Sequence, residues 1–395
     1  MVDELKKNLR QSYFVQLSKG LSKLNHPRVH TYPSLHVCMG VRSHILPAVS
    51  LMLFLLVARQ IYPYVEPLNS EVVEGYEIEK LASGFGGPTC LEWADEVTLL
   101  MCDRDSGRIL ALNSSNDFQS STLLSDLNHP HGLHLTQTHL FVSEEGKLTR
   151  YDRTGFTFDN STVLVQNIPS GNHQTNAINA LPNGTLIWHS GSTCNVCQED
   201  DSRNAALLWV DPDTGAHGVL ASGVRNSFDG TWVPEMGYLF SDNGRDWEGD
   251  HPNEEINLLV EGAAYGWPDD DPDNAIPLGT LGPVAEWTPH TSLNGMDLRP
   301  QSSPLPGLNE SQGFTLYATV YGSWNTLLPV GQEIVRVDFT PTGSNSSLPS
   351  EQWDSKVTRF ATDLGTPLPL RFGPDGALYY ATFGSGGTLY RITSS

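Results

Sequence analysis

The chain has few basic residues, and this scarcity limits the partners that it can have. Its 395 residues include 23 Lys and Arg against 45 Asp and Glu, which gives a formal net charge of −22. Nucleic acids and anionic membrane surfaces are themselves negative, so such a field repels them. We therefore expect no nucleic-acid partner.

Amphipathic helical patterns are also missing from nearly the whole chain. Charged residues make up only 17% of it, whereas 36 Gly and 26 Pro are present. This composition suits many short strands joined by turns better than a helical bundle. A chain of this length can bury a large core, either as one large all-β domain or as two ordinary domains.

One long apolar run interrupts this pattern near the N-terminus. Residues 45–58, ILPAVSLMLFLLVA, carry no charge and follow a basic segment, residues 1–44, that has seven Lys or Arg against two acidic residues. Such a run matches a signal-peptide core, and it approaches a membrane span if the residues that follow it lie at the interface. We predict a membrane anchor or signal at 45–62, a stalk at 63–75, a cytoplasmic N-terminus and an exported acidic body.

Two questions about this segment stay open at the level of sequence. Met39 offers a second start, which would give a signal with a short basic region. Ala58 would be a poor cleavage site, so an uncleaved anchor is slightly favoured over a cleaved signal. Both alternatives, membrane-anchored or secreted, place the body outside the cytoplasm.

Cysteine is scarce, and four of the five cysteines follow the apolar run. An even number in an exported protein indicates disulfides. Cys90 and Cys102 flank a segment typical of two short strands around a turn, which predicts a cross-strand bridge. Cys194 and Cys197 form a lone C-x-x-C without a second ligand pair nearby, so we expect a local disulfide rather than a zinc site.

Five Asn-x-Ser/Thr triplets lie in the predicted exported part of the chain. They permit N-glycosylation if the host is eukaryotic, although loops rich in Ser and Thr also produce such triplets by chance. The asparagines concerned are Asn113, Asn160, Asn183, Asn309 and Asn345.

From residue 76 onward, a turn followed by short apolar strands recurs six times. The units begin near Gly87, His131, Asn176, Ser227, Gly295 and Pro367. Units that resemble small antiparallel sheets indicate a propeller, because one blade cannot bury its faces alone. A pair of β-sandwiches would not explain the recurring signature. We predict an all-β, six-bladed β-propeller over 76–395, in which the strand at 76–84 completes the last blade.

The densest group of polar residues of special chemistry lies within 222–268. It contains an Arg-Asn pair and an acidic loop, residues 241–250, whose Asp, Asn and Gly suit a hard cation but are also typical of ordinary turns. In a propeller, the loops that lead into the innermost strands converge on the mouth of the central channel. The segments expected at this mouth are 129–132, 171–176, 223–226, 241–246, 287–295 and 321–325.

Several ordered segments carry a resemblance to a known family. They are GNHQTNAINALPNGTLIWHSGSTCN at 171–195, ASGVRN at 221–226, DNGRD with EEINLL and YGWP at 242–268, GSWN with GQEIVRV at 322–337, and GPDGALYY with GTLYRI at 373–392. Together they resemble the soluble glucose/sorbosone dehydrogenases, most closely the sorbosone and pyranose dehydrogenase branch, over nearly all of 76–395. The resemblance implies a six-bladed propeller that uses pyrroloquinoline quinone (PQQ) and Ca²⁺ to oxidise an aldose or sugar aldehyde, with an electron acceptor that the sequence does not identify.

The resemblance also implies roles for individual residues. His173 matches the catalytic base, which takes the proton of the sugar's anomeric hydroxyl while a hydride passes to the quinone. Arg225 and Asn226 match the pair that holds the quinone and its carboxylates. The backbone carbonyls of Gly244 and Arg245 match the calcium ligands.

Further contacts follow from the same resemblance. It implies that Asn243 and Trp324 contact the cofactor and that Trp287 and His290 contact the substrate. An aromatic such as Trp287 suits stacking on a sugar ring, with ordinary core packing as the alternative. Glu255 matches an acidic position that shapes the loop at 241–250.

Three positions depart from the family's pattern. Ser192 stands where an acidic residue is expected 19 positions after the base, and Thr326 and Thr366 stand where cations are expected near the cofactor's carboxylates. Each lost charge-assisted contact removes about 1.5–3 kcal/mol of cofactor affinity. A catalytically silent extracellular propeller that binds a protein or glycan therefore stays open as an alternative. A calcium-dependent lactone hydrolase is a weaker one, because it needs several acidic side chains around one ion.

Overall fold

The computed structural model describes residues 49–52, 75–269 and 275–394. Within these ranges the chain forms 24 strands in six four-stranded antiparallel sheets. Most of the predicted anchor and stalk lies outside the described residues. No described helix has the length and apolar character that crossing a membrane requires.

The sheets follow one another along the chain as six blades. Blades 1 and 2 comprise β2 (Pro88–Trp93), β3 (Thr98–Asp103), β4 (Arg108–Asn113), β5 (Gln119–Leu124), then β6 (Gly132–Leu135), β7 (His139–Glu144), β8 (Lys147–Thr154) and β9 (Thr157–Val165). Blades 3 and 4 comprise β10 (Thr175–Ala180), β11 (Leu186–Ser190), β12 (Ala206–Val210), β13 (His217–Ser222), then β14 (Gly230–Val233), β15 (Gly237–Asp242), β16 (Glu254–Leu258) and β17 (Ala285–Trp287). Blades 5 and 6 comprise β18 (Leu293–Leu298), β19 (Phe314–Val320), β20 (Glu333–Pro341), β21 (Trp353–Ala361), then β22 (Pro367–Phe372), β23 (Leu378–Thr382), β24 (Gly387–Ser394) and β1 (Tyr76–Phe85). Within 75–394, the short helices are Arg104–Ser106 and Ser114–Asn116, both 3₁₀, and α1 (Pro349–Gln352); residues 49–52 are also helical.

The first strand of the chain closes the ring. β1 pairs antiparallel with β24, from Tyr76 opposite Ser394 to Phe85 opposite Gly387. The innermost strands of successive blades contact one another around the channel, and β22 of the last blade contacts β2 of the first. The predictions of six blades and of a last blade completed by the strand at 76–84 are therefore confirmed.

The hydrophobic core lies between adjacent blades. One buried cluster joins Leu239 and Trp287 of blade 4 to Met296 and Phe339 of blade 5. Strands inside the ring have both faces covered by neighbouring blades, so β3 is buried at every position. This packing explains why the strands read as continuous apolar runs rather than as an alternating pattern.

Both predicted disulfides are present. Cys90 and Cys102 are directly paired residues of β2 and β3, and their sulfurs are bonded. Cys194 and Cys197 are bonded across a short step that follows β11. Glu199 lies close to this second bridge. Since both of the bridge's sulfurs are bonded to each other, they are not available as metal ligands.

Alternation of strand direction gives the propeller two loop faces. Connections into the first strand of a blade, and between its second and third strands, lie on one face, which we call the site face. Connections between the first and second strands, and between the third and fourth, begin on the opposite side, which we call the far face. The segments predicted to be functional lie in connections on the site face.

A group of charged residues, here called the channel cluster, joins the innermost strands inside the ring. Arg371 of β22 donates to Asp229 at 3.1 Å and lies 3.9 Å from Glu92 of β2. Asp297 of β18 accepts a hydrogen bond from the backbone N–H of Phe372. Burial raises the pKa of Glu92 to about 7 and raises the pKa of Asp297. One guanidinium thus compensates three carboxyl groups from different blades.

Candidate functional site

Hydrogen bonds join the site-face loops of neighbouring blades. Asn176 of blade 3 donates to the side-chain oxygen of Asn226, which precedes blade 4, at 3.0 Å. Asn325 of blade 5 donates to Asp246 of blade 4 at 3.5 Å. The loops that the sequence singled out therefore form one connected polar surface.

The hydrogen bonds around His173 fix which ring nitrogen carries the proton. The Ser192 hydroxyl donates its single proton to the carbonyl oxygen of Cys194 at 2.7 Å. The contact of 2.9 Å between Ser192 Oγ and His173 Nδ1 must then be donated by the ring. Nδ1 is the protonated nitrogen, and Nε2 keeps its lone pair. Ser192 orients the imidazole at the position where the family's pattern has an acid.

The His173 ring is neutral at ordinary pH. Burial, and next the positive charge of Arg225, lower its pKa to about 3. Gly191 lies against the Cβ of His173, because a Cβ at Gly191 would come within 2.6 Å of that atom and 3.1 Å of Asn226 Oδ1. His173 and Asn226 therefore flank one stretch of backbone, which a larger residue at 191 would push apart.

Arg225 is buried, at 4% exposure, and its guanidinium is fixed from three sides. It donates to Asn195 Oδ1 at 2.9 Å, to the carbonyl oxygen of Asn243 at 3.1 Å and to Asp246 Oδ2 at 3.0 Å. With the bond from Nε to Asn195, four of the five N–H donors of the guanidinium are used within the protein, which leaves one N–H of Nη1 for a ligand.

Asn195, which the sequence analysis missed, joins the local disulfide to this arginine. Its backbone carbonyl accepts from Arg225 Nε at 3.2 Å and from Trp267 Nε1 at 3.0 Å. Its side chain also exchanges two hydrogen bonds of 2.9 Å with the backbone of Asp246. The only sequence signal for it was its position inside the C-N-V-C step.

We expect Asn195→Ala to lower the free energy of unfolding by about 1.5–3 kcal/mol, because it removes a hydrogen bond from a buried guanidinium. Urea denaturation followed by tryptophan fluorescence measures this change. Asn345→Ala, at an exposed loop position, is the matched control and is expected to stay within about 0.5 kcal/mol of the wild type. Equal effects of the two changes would contradict the clamping role of Asn195.

Glu254, to which the sequence analysis gave no role, is bonded to the acidic loop, while Glu255 borders the cavity beside the loop. Glu254 is 2% exposed and accepts hydrogen bonds from the backbone N–H of Gly244 at 3.2 Å and of Ser292 at 3.0 Å. Burial raises its pKa to about 7. The loop also needs glycine at 244, since a Cβ there would lie 2.9 Å from Pro252 Cγ.

A small cavity of about 30 Å³ lies beside this loop, bordered by Arg225, Asn243, Gly244 and Glu255 among others. Asn243 is buried, and its Oδ1 has no hydrogen-bond partner among the described residues. A buried amide oxygen without a donor suits an oxygen-seeking cation such as Ca²⁺, together with neighbouring backbone carbonyls.

Two residues predicted to face the substrate are instead enclosed by protein. Trp287 is 1% exposed in the cluster between blades 4 and 5, and its Nε1 donates to Glu333 at 3.1 Å. His290 is buried, with Nε2 bonded to the carbonyl oxygen of Gly249 at 2.7 Å and Nδ1 3.4 Å from Asn325 Nδ2. The stacking role of Trp287 is thus replaced by core packing, and His290 supports the acidic loop.

The exposed aromatic surface lies at Trp324. Its side chain is 63% exposed and meets Trp247 edge to face, with ring centroids 4.8 Å apart. Trp324 was predicted from the resemblance, whereas Trp247 was not, because a tryptophan inside an acidic loop carries no pattern of its own. Paired indoles at a site rim suit flat or ring-shaped ligands.

No cation stands at positions 326 and 366, but the site face carries Arg104, which the sequence analysis overlooked. The hydroxyls of Thr326 and Thr366 donate to backbone carbonyl oxygens of their own blades, at 2.6 and 2.8 Å. Arg104, from the site-face turn of blade 1, is paired with Asp105 at 2.7 Å, donates to the Gln174 side chain at 3.0 Å and keeps a quarter of its side chain exposed. The guanidinium of Arg104 in blade 1 therefore lies beside Gln174, the residue that follows His173.

The free energy of unfolding is expected to change little between pH 7 and pH 5 and to fall steeply below pH 4.5. Burial lowers the pKa of His131 and His173 to about 3 and of His189 to about 4, so the unfolded chain binds more protons below pH 6.5. Glu92 and Glu254, raised to about 7, act in the opposite direction between pH 7 and pH 4.5. Denaturant titrations across this range measure the curve. A steady loss from pH 7 to pH 5 would contradict the balance.

The fold is that of the six-bladed propellers of PQQ-dependent sugar dehydrogenases. The holo PQQ domain of pyranose dehydrogenase from Coprinopsis cinerea superposes with a TM-score of 0.65 at 19% identity, over 84% of this chain and 98% of that one. The calcium structure of a carbohydrate-active enzyme of family AA12 from Trichoderma reesei gives 0.64 at 19%, over 85% and 98%. Soluble aldose sugar dehydrogenase from Escherichia coli, in its apo form, gives 0.62 at 17%, over 81% and 100%.

Comparisons of sequence show a weaker relationship than comparisons of structure. No protein-family model matches the chain. An uncharacterized protein of Borreliella burgdorferi is 26% identical over 224 residues, which are 53% of this chain and 57% of that protein. The match thus spans little more than half of either sequence. The likeness to the solved structures, at identities below 25%, establishes the fold.

Proposed function

We propose that this protein is a PQQ-dependent dehydrogenase of aldoses or sugar aldehydes, in the sorbosone and pyranose dehydrogenase branch. The observation that carries the proposal is His173, whose protonated Nδ1 is bound to Ser192 and whose Nε2 keeps its lone pair within the site-face surface. The propeller fold shared with sugar dehydrogenases supports it. The acidic body acts outside the cytoplasm, either secreted or anchored through residues 45–62.

The residues present suit the two cofactors. For Ca²⁺, Asn243 offers a buried side-chain oxygen that has no hydrogen-bond partner in the described part of the chain, and the loop that carries Gly244 and Arg245 can offer backbone carbonyls. For the quinone, Asn226 and the one N–H of Arg225 that is not bonded within the protein would hold a carboxylate. Trp324 and Arg104 border the same face, and we propose that Arg104 replaces part of the charge absent at Thr326 and Thr366.

PQQ, when bound, supplies the two-electron hydride acceptor, and calcium polarises its oxygens. Nε2 of His173 accepts the proton of the sugar's anomeric hydroxyl while a hydride leaves the carbon that bears this hydroxyl. The carbon loses one hydride and the oxygen one proton, so an aldose leaves as a lactone. The Ser192 hydroxyl accepts from Nδ1–H throughout and steadies the imidazolium that forms.

The low pKa of His173 has a consequence for rate. A base that is fully neutral at pH 7 is always in the correct protonation state, but it is a weaker proton acceptor than an ordinary imidazole. The burial that lowers the pKa would change when a sugar and a quinone replace water around the ring. Arg225 contributes to the lowering, so a quinone carboxylate that neutralises it would raise the basicity of His173.

The proposal is tested with the purified full chain, PQQ and Ca²⁺. Reduction of an electron-accepting dye is followed with a panel of aldoses, pyranoses and sugar aldehydes. We expect reduction that needs both sugar and quinone and that is lost when a chelator removes calcium. No reduction with any sugar, together with no change in quinone absorbance on titration with protein, would exclude the dehydrogenase.

The second candidate is a catalytically silent propeller that binds a protein or glycan outside the cell. The specific observation in its favour is that Thr326 and Thr366 use their hydroxyls within their own blades and leave no cation at these positions. It predicts that sugars bind without redox chemistry. Calorimetry with the same sugar panel, in the absence of quinone, separates the two: binding without dye reduction supports the silent propeller.

A further inference from the structure

The five Asn-x-Ser/Thr triplets share a structural property that the sequence alone does not show. Every one of their asparagines is exposed at the surface of the propeller. They come from four different blades, so their exposure does not reflect one unusual loop. They are Asn113, Asn160, Asn183, Asn309 and Asn345.

All five belong to the far face. Asn183 and Asn309 lie in connections between the first and second strands of blades 3 and 5. Asn113 ends the third strand of blade 1, and Asn345 lies between the third and fourth strands of blade 5. Asn160 lies in the half of β9 next to the turn that joins it to β8. Each position is on the side where strands turn away from the candidate site.

The site face has many asparagines but no acceptor triplet. None of its asparagines is followed by a Ser or Thr at the second position, as the sequences Asn-His-Gln, Asn-Ala-Ile, Asn-Val-Cys and Asn-Thr-Leu illustrate. The asparagines concerned include Asn172, Asn176, Asn195, Asn226, Asn243 and Asn325. The triplets are therefore segregated by face, although asparagine is abundant on both.

Two of the far-face asparagines have a local geometry that leaves the amide nitrogen available. The side-chain oxygen of Asn113 accepts from the backbone N–H of Ser115 at 2.8 Å. The side-chain oxygen of Asn183 accepts from the backbone N–H of Thr185 at 3.0 Å. In both turns the oxygen is held by the hydroxyl residue of the triplet, and Nδ2 is the atom left for modification.

We propose that the far face of this propeller carries N-linked glycans and that the site face carries none. In the modification, Asn Nδ2 loses one proton and forms a bond to C1 of an oligosaccharide, whose bond to a lipid diphosphate breaks; the diphosphate leaves, and no oxidation occurs. The inference rests on export of the body, which the two disulfides favour, and on a eukaryotic host. It does not depend on the dehydrogenase activity.

The arrangement has a consequence for access. Glycans are bulky and strongly hydrated, so they exclude large partners from the surface around them. With the far face covered, the site face would remain the open approach for a substrate and for an electron acceptor. Glycosylation would thus restrict large partners to the site face, and the glycans themselves would not contact the candidate site.

The test uses the full chain secreted or displayed by a eukaryotic host. Peptide-N-glycosidase treatment in ¹⁸O water converts each glycan-bearing Asn to labelled Asp, which peptide mass spectrometry locates. A sample without the enzyme measures spontaneous deamidation. Thr185→Ala is the matched variant, since it removes the acceptor triplet but keeps Asn183 itself; it should lose the label at Asn183 alone.

We expect label at three or more of the five far-face asparagines and at no site-face asparagine. Label at fewer than three in a chain recovered from the secretory pathway would overturn the proposal. Label at Asn172, Asn195 or Asn226 would overturn it as well, because glycans would then surround the candidate site. Both results are readable whether or not the protein oxidises sugars, so failure of this proposal is distinct from failure of the proposed function.

Discussion

His173→Ala is expected to lower the turnover number of sugar oxidation by about 10²- to 10⁴-fold, the usual contribution of a positioned general base. The substitution removes Nε2 as proton acceptor but leaves Arg225, Asn243 and Trp324 in place. Quinone affinity, measured by absorbance titration, should therefore change less than about threefold. The loss of a direct contact worth about 1.4 kcal/mol would instead change it tenfold. The separation of turnover from binding distinguishes a base from a residue that only shapes the pocket.

His139→Ala provides the matched control for this change. His139 begins β7 beside a far-face turn and lies 3.6 Å from Asp152 at the surface, so its removal should leave turnover unchanged. Ser192→Ala adds an intermediate case, since it keeps the imidazole but frees it to rotate and exchange tautomers. Turnover by His173→Ala close to the wild-type value would assign the proton transfer to another group.

Arg371→Met is expected to lower the free energy of unfolding by about 3–5 kcal/mol, the cost typical of leaving buried charges without their partner. The guanidinium donates to Asp229 and faces Glu92, while Asp297 adds to the same field. Methionine fills a similar volume but leaves three carboxyl groups of different blades to repel one another. Chemical denaturation of the full chain at pH 7 and pH 5 measures the effect.

The pH dependence of this variant is its internal check. At pH 5 the buried carboxyl groups of Glu92 and Asp297, whose pKa values are raised, take up protons more readily, so the loss should be smaller than at pH 7. Arg391→Met, at an exposed pair with Glu79, should cost less than about 1 kcal/mol. A loss of that small size for Arg371→Met would show that the channel cluster contributes little to stability.

The fold could be predicted from the sequence because its signals are local and repeated. Each blade has its own turn-and-strand pattern, and a blade that lacks its outer strand leaves the strand at 76–84 with one place to pair. The disulfide between Cys90 and Cys102 followed from strand pairing on either side of a short turn. Apart from the closing strand, which pairs with the far end of the chain, these inferences needed no relation between distant residues.

The site was predicted less completely, because its geometry depends on register and on contacts between blades. Glu254 and Glu255 are consecutive in a strand, so they point to opposite faces, and a sequence pattern does not show that Glu254 is the one that accepts from the backbone of Gly244. Trp287 belongs to a short outer strand whose neighbour is blade 5, and that packing buries it. Asn195 and Arg104 become neighbours of the site only when blades 1, 3 and 4 close around the channel.

The central claim is that sugar reduces a quinone held on the site face, and a single-turnover measurement tests it most directly. The full chain, loaded with PQQ and Ca²⁺ and freed of excess quinone, is mixed rapidly with one sugar while the quinone absorbance is followed. We predict a first-order loss of the oxidised quinone band, equal in amount to the protein, that is far slower in His173→Ala. An unchanged band after mixing with every sugar of the panel, in protein shown to hold quinone, would contradict the account.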